Sequence, residues 1–253
     1  MLEIVSENVL KKNKSLIPVA YNTDKKIIVI SDNCSEQNII SESSLSPVPY
    51  LDLTHNQRSM IFISGPSGSG KSSVAYSISL NLRIRLSDKK RKIVLFTKNA
   101  DEDPAFKSAK KIIQIGMFSD PHFIEIEPSH LSDCIVVFDD WEVLPKNLLN
   151  HVSLLIKDLA ERSRKLNISL LVINHQTQNY NVTRNLIFES DSYVLFPSAN
   201  RNAFKRFAKS YMDITDDEIQ NMIETCKKPH TWLIFHKSVP RFWQTDKKII
   251  MLE

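Results

Sequence analysis

Short apolar runs alternate with longer stretches of mixed polarity along most of the chain from residue 58 onward. Continuous apolar runs of this length are typical of strands that are buried on both faces of a sheet. The predicted strands are Ser59–Ser64, Lys92–Phe96, Lys111–Ile115, Phe123–Ile126, Cys134–Phe138, Ile168–Ile173, Ser192–Phe196, His230–Phe235 and Lys248–Leu252. Because helical patterns separate many of them, we predict an α/β fold with a mostly parallel sheet and helices on both faces.

Four stretches show the spacing of an amphipathic helix. The first, Ser72–Arg85, has apolar residues at every fourth position along one face. The spacing predicts three further helices, over Leu148–Lys165, Arg201–Met212 and Asp216–Cys226. Asn200 and Thr215 precede the last two helices and are suitable N-cap residues, which supports these boundaries.

The first 57 residues differ from the rest of the chain. Two apolar runs, Leu16–Ala20 and Lys26–Ile30, predict short strands, and residues 31–50 contain six serines and two prolines. Clusters of serine and proline are typical of exposed loops and linkers. We therefore predict a β-rich extension with a serine-rich linker over residues 1–57 and a single larger domain over residues 58–253.

The amino-acid composition indicates the compartment of the protein more clearly than its function. The formal net charge of +4 and the pI near 8.8 allow contact with nucleic acid without requiring it. The three cysteines are scattered without a C-x-x-C pair, which is typical of reduced thiols in an intracellular compartment. No apolar run is long enough for a signal peptide or a membrane span, so we expect neither.

The densest motif of the chain is Gly65-Pro66-Ser67-Gly68-Ser69-Gly70-Lys71-Ser72, which holds three of the four glycines. It fits the pattern G-x-x-x-x-G-K-[ST], in which backbone N–H groups surround phosphate oxygens, the lysine reaches the β- and γ-phosphates and the last hydroxyl binds Mg²⁺. A strand before the motif and a helix after it complete the required setting. The predicted nucleotide-binding residues are Gly65, Pro66, Ser67, Gly68, Ser69, Gly70, Lys71, Ser72 and Ser73.

A second candidate for phosphate chemistry is the strand Cys134–Phe138, which ends in two acids, Asp139 and Asp140. This arrangement is typical of a Walker B segment, in which the first carboxylate holds Mg²⁺ at the carboxyl end of its strand. Asp139 is therefore the second predicted metal ligand, beside Ser72. Asp140 is the candidate that polarises the attacking water, and Glu142 is an alternative for that role.

The strand Ile168–Ile173 ends in Asn174-His175-Gln176. A polar amide at this strand end is a candidate to bind the γ-phosphate or the attacking water. Several arginines follow or precede it, and phosphoryl transfer often uses such a cation from a neighbouring subunit. These arginines are Arg162, Arg164, Arg184, Arg201 and Arg206.

The order of these motifs resembles the FtsK–HerA superfamily, and within it the poxvirus-type DNA-packaging ATPases of large DNA viruses. The resemblance covers about residues 58–240. It is carried by the phosphate-binding loop, the paired acids, the segment from Asn167 through Gln176 to Arg184-Asn185, and Tyr193–Phe196 followed by Asn200-Arg201. Cellular relatives typically carry glutamate where this chain has Asp140, which leaves the identity of the catalytic base open.

The resemblance implies a RecA-like core that binds ATP and Mg²⁺ and assembles into a homo-oligomeric ring around double-stranded DNA. It further implies packaging of DNA into a capsid, with portal or vertex proteins as possible partners and a location in the host cytoplasm, a viral factory or the virion. By residue match, Gln176 is the sensor candidate. Arg184 and Arg201 are the candidates for contacts to ATP across a subunit boundary.

Other classes of P-loop protein fit the sequence less well. A small-molecule or nucleotide kinase would use an arginine-rich lid, for which only residues 200–210 are available. A switch GTPase would need N/T-K-x-D after the paired acids, and the nearest match, Thr97–Asp101, precedes them with the wrong spacing. A P-loop ATPase without a packaging role and a non-hydrolysing relative both stay open as alternatives.

Overall fold

The computed structural model describes residues 50, 58–85, 91–98, 113–175, 180–237, 241–247 and 249–252, and the backbone of four strands before residue 50. These four strands are β1 (Leu2–Val5), β2 (Ile17–Tyr21), β3 (Ile27–Ile30) and β4 (Ser46–Pro47). They form one antiparallel sheet in the order β1-β3-β2-β4. The sequence predicted β2 and β3 and missed the other two, and most of the predicted serine-rich linker lies outside the described residues.

A second sheet of nine strands forms the centre of the molecule, in the order β13-β12-β11-β10-β5-β9-β8-β6-β7. The six strands from β10 to β7 are parallel, and β11, β12 and β13 extend the β10 edge in antiparallel fashion. The strands are β5 (Met60–Ser64), β6 (Ile93–Thr97), β7 (Ile113–Met117), β8 (Ile135–Phe138), β9 (Ser169–Asn174), β10 (Ser192–Leu195), β11 (Leu233–His236), β12 (Phe242–Gln244) and β13 (Ile249–Met251). The prediction of a mostly parallel α/β sheet is confirmed.

Five α-helices accompany this sheet in the described part of the chain: α1 (Lys71–Arg85), α2 (Lys146–Leu166), α3 (Tyr180–Glu189), α4 (Arg201–Tyr211) and α5 (Asp216–Thr225). Both predicted caps form. The Asn200 side chain accepts a hydrogen bond from the backbone N–H of Ala203, and Thr215 forms a capping box with Glu218. Helix α3 was not predicted from the sequence.

Successive residues of the central strands enter different cores, because strand side chains alternate between the two faces of a sheet. In β5, Met60 and Phe62 belong to the core that contains residues of α2, α3, α4 and α5. Ile61 and Ile63 belong to the core that contains α1. Helices therefore cover both faces, which explains why the strand sequences are apolar throughout instead of alternating.

The predicted strand Phe123–Ile126 is wrong, because Pro121–Glu125 forms a 3₁₀ helix. The Asp120 carboxylate caps this turn by accepting from the backbone N–H of His122 at 2.9 Å. Pro121 occupies the start of the turn, where its fixed φ favours a helical conformation. The buried Phe123 ring packs edge-on against two other phenylalanines, so its apolar character serves core packing and not sheet formation.

Candidate active site

The phosphate-binding loop connects β5 to α1 and adopts a conformation that requires its glycines. Gly68 and Gly70 have φ values of 72° and 100°, which side chains with a Cβ rarely adopt. A Cβ at Gly65 would lie 2.8 Å from the Phe196 ring and equally close to the Ser69 hydroxyl. Steric limits therefore restrict the backbone at both ends of the loop. The loop leads directly into the N-terminus of α1.

Lys71 is the first residue of α1 and is almost completely buried. Its ammonium group donates a hydrogen bond to the carbonyl oxygen of Pro66 at 3.0 Å, so the side chain folds back over the loop. Burial lowers the pKa of Lys71, and the nearby charges of Asp139, Asp140 and Glu142 oppose that shift. A bound anion would favour the charged form of this buried cation, as expected for a phosphate ligand.

Ser72 and Asp139, the two predicted metal ligands, contact each other. The Ser72 hydroxyl donates to Asp139 Oδ2 at 2.9 Å, and the buried Asp139 follows directly after β8. A hydroxyl and a carboxylate are hard oxygen donors of the kind that Mg²⁺ prefers. No group of three or more His, Cys, Asp or Glu side chains in the described ranges could hold a metal ion. The Ser72 and Asp139 oxygens therefore suit an ion that takes its remaining ligands from phosphate and water.

Asp140 adopts a left-handed backbone conformation, with φ 54° and ψ 20°. Its backbone N–H donates a hydrogen bond to Asp139 Oδ1 at 3.0 Å, so the Asp139 carboxylate binds the backbone of Asp140. Its own carboxylate oxygen Oδ1 lies 3.0 Å from His175 Nε2, and both side chains are about one third exposed. This contact with His175 makes Asp140 the more distinctive of the two candidate bases.

Glu142, the alternative base, is engaged by the end of β9. Its Oε1 accepts a hydrogen bond from Asn174 Nδ2 at 3.0 Å, and its Oε2 accepts one from the backbone N–H of His175 at 2.5 Å. Neither contact was predicted from the sequence. Both carboxylate oxygens therefore bind the neighbouring strand.

Three buried oxygen atoms around the loop have no hydrogen-bond partner among the described residues: Ser64 Oγ, Ser69 Oγ and Asn174 Oδ1. Ser64 and Asn174 are paired in register at the carboxyl ends of β5 and β9. Buried polar atoms are almost always paired, so unpaired ones at one place indicate a missing ligand or water. The resemblance gave Gln176 as the sensor candidate, and that residue lies outside the described residues. Asn174, the other amide at this strand end, lies beside the loop.

The two candidate arginines are exposed and do not contact the phosphate loop or its acids in the described structure. The Arg184 guanidinium lies 5.7 Å from the centre of the Phe188 ring, on α3. Arg201 is the first residue of α4, near the charge of Glu224. Neither side chain therefore contacts the site of its own chain among the described residues, and a role across a subunit boundary stays a prediction.

A cleft of about 240 Å³ adjoins the outer part of the phosphate loop. The turns after β10 and after α5 form its other walls, and they are joined by a hydrogen bond from the Ser198 hydroxyl to the Lys228 carbonyl oxygen at 3.2 Å. The residues that line it beyond the loop itself are Phe196, Ser198, Ala199, Lys227, Pro229 and His230. No sequence motif predicted this cleft, because the two turns that face the loop are about 30 residues apart in the chain.

No helix among the described residues combines the length and the hydropathy needed to cross a bilayer.

Comparison with known proteins gives one curated relative and several similar structures. No protein-family model matches the chain. It is 25% identical over 219 residues to uncharacterized protein V3 of Sputnik virophage, covering 84% of this chain and 83% of the relative.

Among solved structures, the cytoplasmic domain of the type VII secretion ATPase EccC of Thermomonospora curvata has a TM-score of 0.50 at 15% identity, over 92% of this chain and 26% of that chain. The DNA-packaging ATPase B204 of Sulfolobus turreted icosahedral virus has a TM-score of 0.49 at 14% identity, over 77% of this chain and 97% of that one. Together with the geometry of the phosphate loop, the likeness to EccC shows that this chain has the fold of the P-loop ATPases, as its sequence predicted.

Proposed function

We propose that this chain is an ATP-hydrolysing DNA translocase that packages viral genomic DNA into a capsid. The observation that carries the hydrolytic part is the convergence of Lys71, Ser72 and Asp139 at the carboxyl end of the sheet, with Asp140 beside them. In open α/β sheets ligands bind at this end of the strands. A cation, two hard oxygen ligands and a carboxylate are the groups that phosphoryl transfer to water requires.

In the proposed reaction, a water molecule attacks the γ-phosphorus of ATP and the bond from that phosphorus to the bridging oxygen breaks. Asp140 receives the proton of the water, and ADP and phosphate leave. Lys71 stabilises the negative charge on the β- and γ-phosphates. Ser72 and Asp139 would hold Mg²⁺, which would neutralise further phosphate charge. The cleft that contains Phe196 provides the space for the nucleoside part of the nucleotide.

The DNA-dependent part of the proposal rests on the motif order in the sequence. We propose a homo-oligomeric ring around double-stranded DNA, with capsid portal or vertex proteins as partners in the host cytoplasm or virion. Arg184 and Arg201 would each reach the ATP of a neighbouring subunit, since both are exposed. The kinase alternative is less favoured, because α4 buries Phe204 and Phe207 in the core instead of forming an open lid.

The test is phosphate release from Mg²⁺-ATP by the purified full-length chain, with and without linear duplex DNA. We expect DNA to stimulate turnover and Lys71→Ala to lower kcat by about 10²–10³-fold, because it removes a preorganised charge from the transition state. Lys157→Ala is the matched control, since Lys157 is an exposed lysine of α2 that pairs with Glu161. The mass of the assembly, measured on the same sample, reports the ring.

Two results would contradict this proposal in different ways. Transfer of phosphate to a nucleoside, without any effect of DNA, would identify a kinase. Hydrolysis that duplex DNA leaves unchanged would leave a P-loop ATPase without a packaging role.

The role across a subunit boundary is tested by mixing wild-type and variant chains. With Arg184→Ala or Arg201→Ala, we expect activity to fall faster than the fraction of wild-type chains, because one variant subunit also disables its neighbour's site. Lys205→Ala is the control on the exposed side of α4. Activity strictly proportional to the wild-type fraction would exclude such a role for the arginine tested.

A further inference from the structure

The ends of two adjacent strands, β8 and β9, are joined by side chains that lie more than 30 residues apart in the chain. Asp140 and Glu142 follow β8, and His175 follows directly after Asn174 at the end of β9. Three hydrogen bonds connect the two segments, with donor–acceptor distances between 2.5 and 3.0 Å. The two strands are parallel neighbours in the sheet, so these contacts form at one edge beside the phosphate loop.

The contacts of Glu142 fix where His175 lies. One oxygen of the Glu142 carboxylate binds the Asn174 amide and the other binds the backbone N–H of His175. Hydrogen bonds to an ionised acceptor are stronger than those between neutral groups. The carboxylate therefore holds the turn after β9 through its backbone, an arrangement that does not depend on the His175 side chain.

The His175 side chain in turn fixes one half of the Asp140 carboxylate. His175 Nε2 binds Oδ1, whereas Oδ2 has no hydrogen-bond partner among the described residues. Aspartate adopts the left-handed conformation more readily than most residues, and Asp133 and Asp213 share it, so the contacts of Asp140 and not its φ value set it apart. Here the Asp139 carboxylate accepts from the Asp140 backbone and His175 binds the Asp140 side chain, which leaves Oδ2 without a hydrogen bond among the described residues.

We propose that His175 is a positioning residue for Asp140, and that Glu142 supports His175 through its backbone and is not the base. This inference rests on the proposed function, because it assigns Asp140 the proton of the attacking water. A carboxylate clamped at one oxygen can present the other to water in a single geometry. Loss of the clamp would leave nucleotide binding intact and slow only the chemical step.

The test compares three substitutions of one residue by kcat and KM for Mg²⁺-ATP hydrolysis. Glutamine places an amide nitrogen as many bonds from Cβ as His Nε2, whereas asparagine is one bond shorter. We expect His175→Ala and His175→Asn to lower kcat by about 10²-fold with KM unchanged, since small misplacements cost about that factor. We expect His175→Gln to restore kcat to within about threefold of the wild type.

A merely structural role would give a different pattern. Equal losses in all three variants, or a rise in KM with a lowered thermal midpoint, would overturn the positioning role. Wild-type kcat in all three would also overturn it. A wild-type chain that does not hydrolyse ATP at all would instead overturn the proposed function itself, together with this assignment.

The substitution Glu142→Gln tests whether Glu142 supports the end of β9 or acts as the catalytic base. An amide keeps one acceptor for the end of β9 and loses the other, so we expect kcat to fall by less than about tenfold. Asp140→Asn, in contrast, removes the base and should lower kcat by about 10²–10⁴-fold. If Glu142→Gln costs as much as Asp140→Asn, Glu142 is the base and the assignment is wrong.

Discussion

Two buried serines in neighbouring parallel strands differ in whether their hydroxyl groups form hydrogen bonds. Ser64 ends β5 at the phosphate loop, and Ser192 begins β10 at the opposite end of the sheet. Both are only 1% exposed. The Ser64 hydroxyl has no hydrogen-bond partner among the described residues, whereas the Ser192 hydroxyl lies 3.1 Å from the Tyr50 hydroxyl and 3.0 Å from His236 Nδ1.

The contrast extends to the surroundings of each serine. His236 continues the chain of contacts from Ser192, since its Nε2 lies 3.2 Å from Gln244 Oε1 and its ring stacks on Phe242. Around Ser64, in contrast, Ser69 and Asn174 also carry buried oxygens that have no hydrogen-bond partner in the described part of the chain. Satisfied polar networks rigidify a core, and unsatisfied ones are costly unless a ligand completes them. The difference therefore separates a structural end of the sheet from a ligand-binding end.

The larger expected effect on stability is at the structural end. Ser192→Ala removes one hydrogen-bond partner from each of two buried side chains, so we expect the free energy of unfolding to fall by about 1–3 kcal/mol. Because the site lies at the other end of the strands, kcat of the folded fraction should stay within about twofold of the wild type. Urea unfolding and ATP turnover measure the two quantities. A lower kcat at unchanged stability would break the distinction between the two ends.

The smaller expected effect on stability is at the ligand-binding end. Ser64→Ala removes a buried hydroxyl that has no partner to lose, so the free energy of unfolding should stay unchanged or rise by up to about 1 kcal/mol. The affinity for Mg²⁺-ATP or the turnover should fall if the hydroxyl contacts the nucleotide or its water. Both are measured on the same preparations as for Ser192→Ala. Destabilisation as large as that of Ser192→Ala would show that Ser64 is a structural residue as well.

The parts of the fold and site that the sequence predicted are those determined by residues close together in the chain. The loop from Gly65 to Ser72 needs glycine at fixed spacing, and the position of Asp139 follows from the apolar strand before it. Because carboxyl ends of parallel strands meet at one edge, the contact between Ser72 and Asp139 was predictable without coordinates. The predicted strand at Phe123–Ile126 was wrong although local chemistry opposed it. Asp120 and Pro121 favour the start of a helical turn, and the apolar residues that follow them fit either structure.

The role of Glu142 could not be predicted in this way. Its two partners, Asn174 and His175, lie more than 30 residues further along the chain. An acid close after a Walker B aspartate has the same sequence signature whether it binds water or the neighbouring strand. Only the register between β8 and β9 distinguishes the two, and register depends on the packing of the whole sheet.

Tyr50 has a consequence for how the chain can be shortened. It precedes the predicted boundary at residue 58, yet its ring is buried in the same core as α1 and lies 5.1 Å from the ring of His236. A fragment that starts at residue 58 would leave an aromatic-sized void and an unfilled hydrogen-bond position beside Ser192. A fragment that starts ahead of Tyr50 would retain this ring, and is the better choice for expressing the nine-stranded sheet and its helices alone.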